Sequence, residues 1–456
     1  MERRNAGLAS VCWALSLTGA AACGSPDDAS LGNGVLDDQV DTTAQGVTLG
    51  GHLSGISDAD FADFQTSFAN VETVDDGLGP IFNDRACGNC HDLGAAGGAG
   101  DAIERRFGRF DKGVFNPLAN EGGSLRQLQT LGMWTNNKGQ ACNVPLEVEP
   151  ADATVHNVGR MTTPLFGLGL VDAMPDSFFT GLAKSEASSI RGTANVVNIV
   201  LPNPSDSSQS IGSQRVGRFG WKAGVPTLVQ FSADAYMNEM GITTQHCING
   251  TSVTAFSTES APNGIPVAPN CEDNVPGVDD QVGACAKGQT TIQDDVSDFT
   301  QFMTFLAPPP SGSSTRSDAT DTTTAATNNS SGQNIYDNVG CGGCHTRQTF
   351  TTPRRPANGV PGNFAFKPYS DFLVHDMGSL GDQIGNAGDS QATTRLMRTA
   401  PLWGVRFRDK LLHDGRATSI PTAIADHAGQ GANAATAFGR LSSRDQNSLV
   451  QFVLSL

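Results

Sequence analysis

The sequence predicts a mainly α fold in which one module occurs twice, the first copy enlarged by loop-rich insertions. Two internal echoes and a helical rhythm predict it. Ile81-Phe82-Asn83-Asp84-Arg85-Ala86-Cys87-Gly88-Asn89-Cys90-His91 aligns without gaps to Ile335-Tyr336-Asp337-Asn338-Val339-Gly340-Cys341-Gly342-Gly343-Cys344-His345, with five identities and three conservative pairs. Downstream, Thr162-Thr163-Pro164-Leu165-Phe166-Gly167 is matched by Thr399-Ala400-Pro401-Leu402-Trp403-Gly404. Ahead of the first motif, Phe61, Phe64 and Phe68 recur at spacings of three and four.

In chain order, residues 1–22 read as an export signal: Arg3 and Arg4, an apolar run through Leu17, then small residues up to Ala22. Ala-Ala-Ala-Cys23 followed by Gly-Ser-Pro-Asp-Asp resembles a bacterial lipoprotein cleavage site, which would lipidate Cys23; cleavage after Ala22 to a soluble product is the alternative. Either way the expected location is the periplasm or an outer membrane, with no membrane contact beyond the lipid on Cys23. Residues 23–54 are polar and aperiodic and read as a tether. Ser57-Asp58-Ala59-Asp60 is a helix start. A helix bearing Phe299, Phe302, Phe305 and Leu306 is stopped by Pro308-Pro309-Pro310. The expected units are therefore an N-terminal domain, 55–306, a linker, 307–331, and a C-terminal domain, 332–456. The latter opens with a helix at Gly332–Tyr336 and closes with an amphipathic one, Arg444–Leu456.

The 456 residues include 53 Gly and 23 Pro, and the formal net charge is −17. That balance excludes a nucleic-acid binder, since no basic surface is available to displace counterions from phosphates. The charge is uneven. Residues 332–456 carry twelve Lys/Arg against nine Asp and no Glu, a net +3, whereas residues 23–331 carry fifteen against thirty-six, a net −21. Arg395, Arg398, Arg406, Arg408, Lys410 and Arg416 cluster in the C-terminal part and suit carboxylates of a bound cofactor; a solvated surface is the plain alternative.

Four of the ten cysteines lie in Cys87-Gly-Asn-Cys90-His91 and Cys341-Gly-Gly-Cys344-His345. Cys-x-x-Cys-His suits covalent haem: a turn presents two thiols to the vinyl groups while the next residue directs an imidazole at the iron. A redox dithiol would not require the histidine twice, and a four-Cys zinc site would leave both histidines unused. Two c-type haems are expected, with His91 and His345 as iron ligands. Cys142, Cys247, Cys271 and Cys285 allow two disulfides in three pairings between which the sequence does not choose.

With these motifs in place, residues 75–456 resemble the bacterial di-haem cytochrome c peroxidases and MauG, and more closely the di-haem oxidoreductase (peroxidase-like) proteins. Leu412-His413-Asp414-Gly415 and His375-Asp376-Met377-Gly378 are similar to segments of that family. The resemblance implies two cytochrome c-like haem domains. It implies His427, fourteen residues beyond His413, as the second ligand of the His345 iron, where the peroxidases have Met and MauG has Tyr. It implies Trp221, in Arg218-Phe219-Gly220-Trp221-Lys222-Ala223, as a relay between haems, and Glu239, in Asn238-Glu239-Met240-Gly241, as the acid–base group above an open first iron. The first iron is expected to be open or labile, with His156 as the candidate that would fill it in a resting state, and His375 and His413 are expected as supporting groups. The family also holds calcium between its domains, but no loop of EF-hand spacing assigns it here.

The function expected is reduction of hydrogen peroxide at the N-terminal haem, with electrons relayed through the C-terminal haem from a small periplasmic cytochrome or copper protein. Alternatives are a di-haem oxidase or oxygenase using dioxygen, as in MauG or the rubber-cleaving enzymes, and a non-catalytic electron-transfer cytochrome.

Overall fold

The computed structural model describes residues 48–136, 138–248, 251–256, 271, 280–281, 295–312 and 330–456. The export segment 1–22, Cys23, the tether as far as residue 47, linker residues 313–329, Cys285 and the side chain of Cys247 lie outside that description. Contacts divide the chain into Met1–Gln39 and Val40–Leu456, and only the second unit is described below. No helix among the described residues is long and apolar enough to cross a membrane.

The expected mainly α fold is not what forms. Among the described residues helix accounts for 32% and strand for 18%, with ten helices and several small sheets. Much of the difference lies in the first insertion. Strand Ile103–Asp111 pairs antiparallel with Val114–Asn116, Leu125–Arg126 and Val155–Met161. Ile103, Arg105 and Phe107 alternate with Glu104 and Arg106, and Val155 and Val158 are β-branched, so these stretches favour a pleated surface with Phe107 fully buried. The charged residues between them hide that alternation from a helix-minded reading. A second ribbon pairs Gly132–Thr135 with Ala141–Val144. There Cys142 forms a disulfide with Cys271, their Cα atoms 5.3 Å apart.

The expected helices do form. Asp58–Ala69 is capped by the Ser57 side chain, which accepts from the Asp60 N–H, and it buries Phe61 and Phe68. Phe68 and Phe61 lie 4.6 and 5.4 Å from Phe302 of helix Asp295–Phe305. In the C-terminal part, helix Ser330–Asn338 packs on Ser443–Leu454, with Tyr336 5.2 Å from Phe452. The downstream echo is structural as well. Gly167 and Gly404, at φ 70° and 67°, each donate an N–H over 3.0 Å to a carbonyl just past a closing helix, Leu306 and Leu456 respectively.

The motif echo diverges locally. Ile335 and Tyr336 are helical, but Ile81–Phe82 is a strand paired with Gln129–Thr130. Pro80, which lacks an N–H and biases Gly79 towards extended backbone, precludes a helix there. The N-terminal apolar core also takes in Phe350, Phe364, Phe366, Phe372 and Trp403 from the C-terminal third.

Helix Leu228–Met240 ends at Gly241, whose φ of 77° and close approach to the first motif both require glycine. A Cβ there would lie 2.6 Å from the Gly79 carbonyl oxygen and 2.8 Å from that of Ile81. Gly241→Ala is expected to cost about 1–3 kcal/mol from the backbone conformation alone. Urea denaturation checks this; an unchanged midpoint would contradict it.

Candidate functional site

The second motif opens onto a mostly apolar cavity of about 300 Å³, lined among others by Val339, Cys341, Cys344, Leu412, Leu449 and Val453. His345 and His427 face each other across it, ring centres 6.4 Å apart. Each imidazole is fixed through Nδ1, by the Tyr369 carbonyl at 3.1 Å and the Ala423 carbonyl at 2.7 Å, which leaves Nε2 of both directed elsewhere. The Tyr336 hydroxyl donates to the His345 carbonyl. Burial pushes the His345 pKa down to about 4, aided by the facing His427, so the ring is neutral at physiological pH, the form that ligates metal. His375 is buried, with Nε2 3.0 Å from Asp371 and Nδ1 3.6 Å from the Cys344 sulfur.

The first motif is the short helix Cys87–Cys90, whose Gly88 packs against Ala69. His91 is held by the Gly98 carbonyl, 3.2 Å from Nδ1, and burial lowers its pKa to about 4. The ring near it is that of Phe68, at 6.0 Å. His156 lies at the surface, bonded to Glu149, and His246 bonds to Thr244. All four motif cysteines are free thiols. Burial raises the pKa of Cys87, and those of Cys90 and Cys341 to about 12, opposite to what a redox-active dithiol needs.

Glu239 sits one residue before the end of helix Leu228–Met240 and is tied directly to the first motif. Its carbonyl accepts from the N–H groups of Asn83 and Asp84, at 2.7 and 3.3 Å, and the Asn83 amide donates to its carboxylate at 2.7 Å. Burial, then the charge of Glu104, push its pKa up to about 8. Glu104 is gripped by Arg106 in a fork of 2.7 and 3.1 Å. Sequence reasoning missed Glu104, Arg106 and Asn83, although Glu104 and Arg106 two apart in a strand share a face.

Trp221 lines both the C-terminal cavity and a smaller pocket formed with Thr163, Pro164, Leu168 and Phe231. Its indole nitrogen donates to the Met161 carbonyl at 2.8 Å, and its ring meets His413 edge-on at 6.3 Å. Beneath it runs a buried ion cluster. Arg160 pairs with Asp382 at 2.6 Å and approaches Glu104 at 3.9 Å, and Lys222 pairs with Asp382 at 2.8 Å.

A family model described as "Di-haem oxidoreductase, putative peroxidase" matches residues 140–456, more than two-thirds of the chain. The chain belongs to this family. No curated protein matches it. Among solved structures, hydrazine synthase of Kuenenia stuttgartiensis, determined under xenon pressure, is similar at 12% identity and a TM-score of 0.36, over 95% of this chain and all of that one.

The family implies haem, and the residues of this di-haem oxidoreductase fit it. Two imidazoles trans on one metal, with nitrogens ~2 Å from it, have ring centres ~6.4 Å apart, the separation of His345 and His427. Haem propionates need buried cations, and the basic cluster divides on this point. Arg398 and Arg408 line both the cavity and the smaller pocket, and the buried Arg408 Nε has no partner. Burial lowers the pKa of each to about 10, and Arg408 adds to the effect on Arg398. Arg395, Lys410 and Arg416 are engaged by Asp376, Asp101 and Asp414, and Arg406 by the carbonyls of Leu456 and Pro310.

Burial would raise the Asp382 pKa, but Arg160 and Lys222 outweigh it and hold it at about 2, below the unfolded value of ~3.9. The stability this provides is complete above about pH 4 and is lost as pH falls towards 2. Asp382→Asn should cost roughly 2–3 kcal/mol at pH 7, the free energy that lowering its pKa to about 2 represents. Denaturation curves should show wild type and variant converging between about pH 4 and 2; a gap independent of pH would contradict this.

Proposed function

We propose that this chain is an exported di-haem c-type oxidoreductase that reduces hydrogen peroxide at the site of Cys87, Cys90 and His91. Thioethers from the four motif cysteines would hold the haems, His345 and His427 would both ligate the second iron, and Cys23 would anchor the chain by a lipid. The observation that carries the reading is the unlike surroundings of the two motifs: an imidazole faces His345, whereas a carboxyl group of raised pKa is fastened beside the first motif.

Haem iron, when bound, holds the peroxide and supplies electrons for cleavage of the O–O bond. The balance is one hydrogen peroxide, two electrons and two protons to two waters, the electrons coming from a small cytochrome or copper protein. Glu239, with a pKa near 8, populates both protonation states around neutral pH. It can therefore take a proton from one peroxide oxygen and return it to the departing one. The Asn83 amide and the two backbone N–H groups fix the carboxyl relative to the first motif. Arg398 supports a role for Trp221: its N–H and Nε donate to the carbonyls of Trp221 and Gly220, both at 2.7 Å, and lock the turn that would carry the indole as a relay. The less acidic C-terminal part is the expected docking side for the donor.

Glu239→Gln should retain two haems per chain in a haemochrome assay while losing at least ~100-fold in peroxide turnover. Unchanged turnover in the loaded variant would remove Glu239 from the mechanism.

A further inference from the structure

Glu239 does not stand alone. It lies near the end of helix Leu228–Met240, and strand Ile103–Asp111 brings the charge of Glu104 close enough to act on its carboxyl group. Two neighbouring carboxylates repel, and a proton held on one of them relieves that repulsion. The surroundings decide which. Both oxygens of Glu104 are taken by the Arg106 fork, and Arg160 approaches the same carboxylate from strand Val155–Met161. Arg106 is itself steadied by a 3.3 Å bond to the Ser124 hydroxyl. Glu104 is thus the ionised member, and Coulomb attraction to Arg106 keeps its pKa low against burial. Glu239 faces this fixed negative charge and that of Asp234 one turn earlier on its own helix. Arg106 and the Asn83 amide act in the opposite sense.

We propose that Glu104, clamped by Arg106, is a positioning residue for Glu239: it accepts a hydrogen bond from the Glu239 carboxyl group, aims it, and sets its proton affinity, so that the two acids hold one proton between them. The proposal rests on the reading of Glu239 as the group that moves protons on peroxide. It sets the pH range over which that group is ionised and able to accept the peroxide proton, and it makes Arg106 a member of the site although its guanidinium acts only through Glu104. No electron moves in this step; a single proton changes its position within the pair.

The test is the infrared carboxylic-acid band of Glu239 in the holoprotein, identified as the band absent from Glu239→Gln and followed as a function of pH. In wild type it should titrate near pH 8. Glu104→Gln removes the facing charge and leaves Arg106 unopposed, so the midpoint should fall by at least one pH unit, a tenfold loss of proton affinity. The matching limb of the kcat/KM profile should move by the same amount. Glu104→Asp keeps the charge but draws it back by one methylene, and its midpoint should lie between the other two. If Glu104→Gln fails to accumulate with two haems, Glu104→Asp decides the matter by the same downward shift. Midpoints equal to wild type in the variants that load haem would overturn the proposal, since a merely structural Glu104 would change stability or haem content without moving the titration. Full turnover in Glu239→Gln would instead defeat the reading beneath it.

Discussion

A Cys-x-x-Cys-His histidine occupies one side of an iron, and the chemistry of the other side is set by whichever segment the fold carries across from it. The two motifs share a sequence and differ in that crossing segment. Across from His345 stands His427, at the end of the short helix Ile420–Ala425, with its ring pinned by the helix's own Ala423 carbonyl. Beside the first motif the fold delivers the end of helix Leu228–Met240 and the strand carrying Glu104. Among the described residues four further histidines are hydrogen-bonded elsewhere, His52 to Asp58, His156 to Glu149, His246 to Thr244 and His375 to Asp371, and His413 meets the Trp221 ring edge-on.

The insertions that turn the fold away from mainly α supply this asymmetry. Strand Ile103–Asp111 carries Glu104 and Arg106 on one face, and its partner Val155–Met161 contributes Arg160 to the ion cluster and the Met161 carbonyl to the Trp221 indole. A charged network extends from Glu104 through Arg160 and Asp382 to Lys222, the neighbour of Trp221. One sheet therefore carries Glu104 and Arg106 and also holds the Trp221 indole.

What the sequence disclosed follows from local physics. Ser57 before two early acids caps a helix wherever it folds, Pro308 to Pro310 ends one, and the two cysteines and histidine of each motif are contiguous. What it concealed depends on distant pairing. Asp382 is an ordinary acid in the sequence until the fold brings Arg160 and Lys222 against it, and Arg160 reaches Glu104 only by the same folding. The six basic residues of the C-terminal cluster looked alike, yet only tertiary structure separates Arg398 and Arg408, which line the cavity, from Arg395, Lys410 and Arg416, which meet carboxylates outside it. The two motifs share their sequence but not their lead-in: Ile335 and Tyr336 are helical, whereas Ile81 and Phe82, which follow Pro80, form a strand.

The central claim is that two similar haem sites are made unlike by what faces them. Electron paramagnetic resonance of the oxidised holoprotein, with and without cyanide, tests it most directly. The account predicts one low-spin signal of two-imidazole character that cyanide leaves unchanged, together with a second, high-spin or labile signal that cyanide converts. Two low-spin signals, neither of which responds to cyanide, would contradict it.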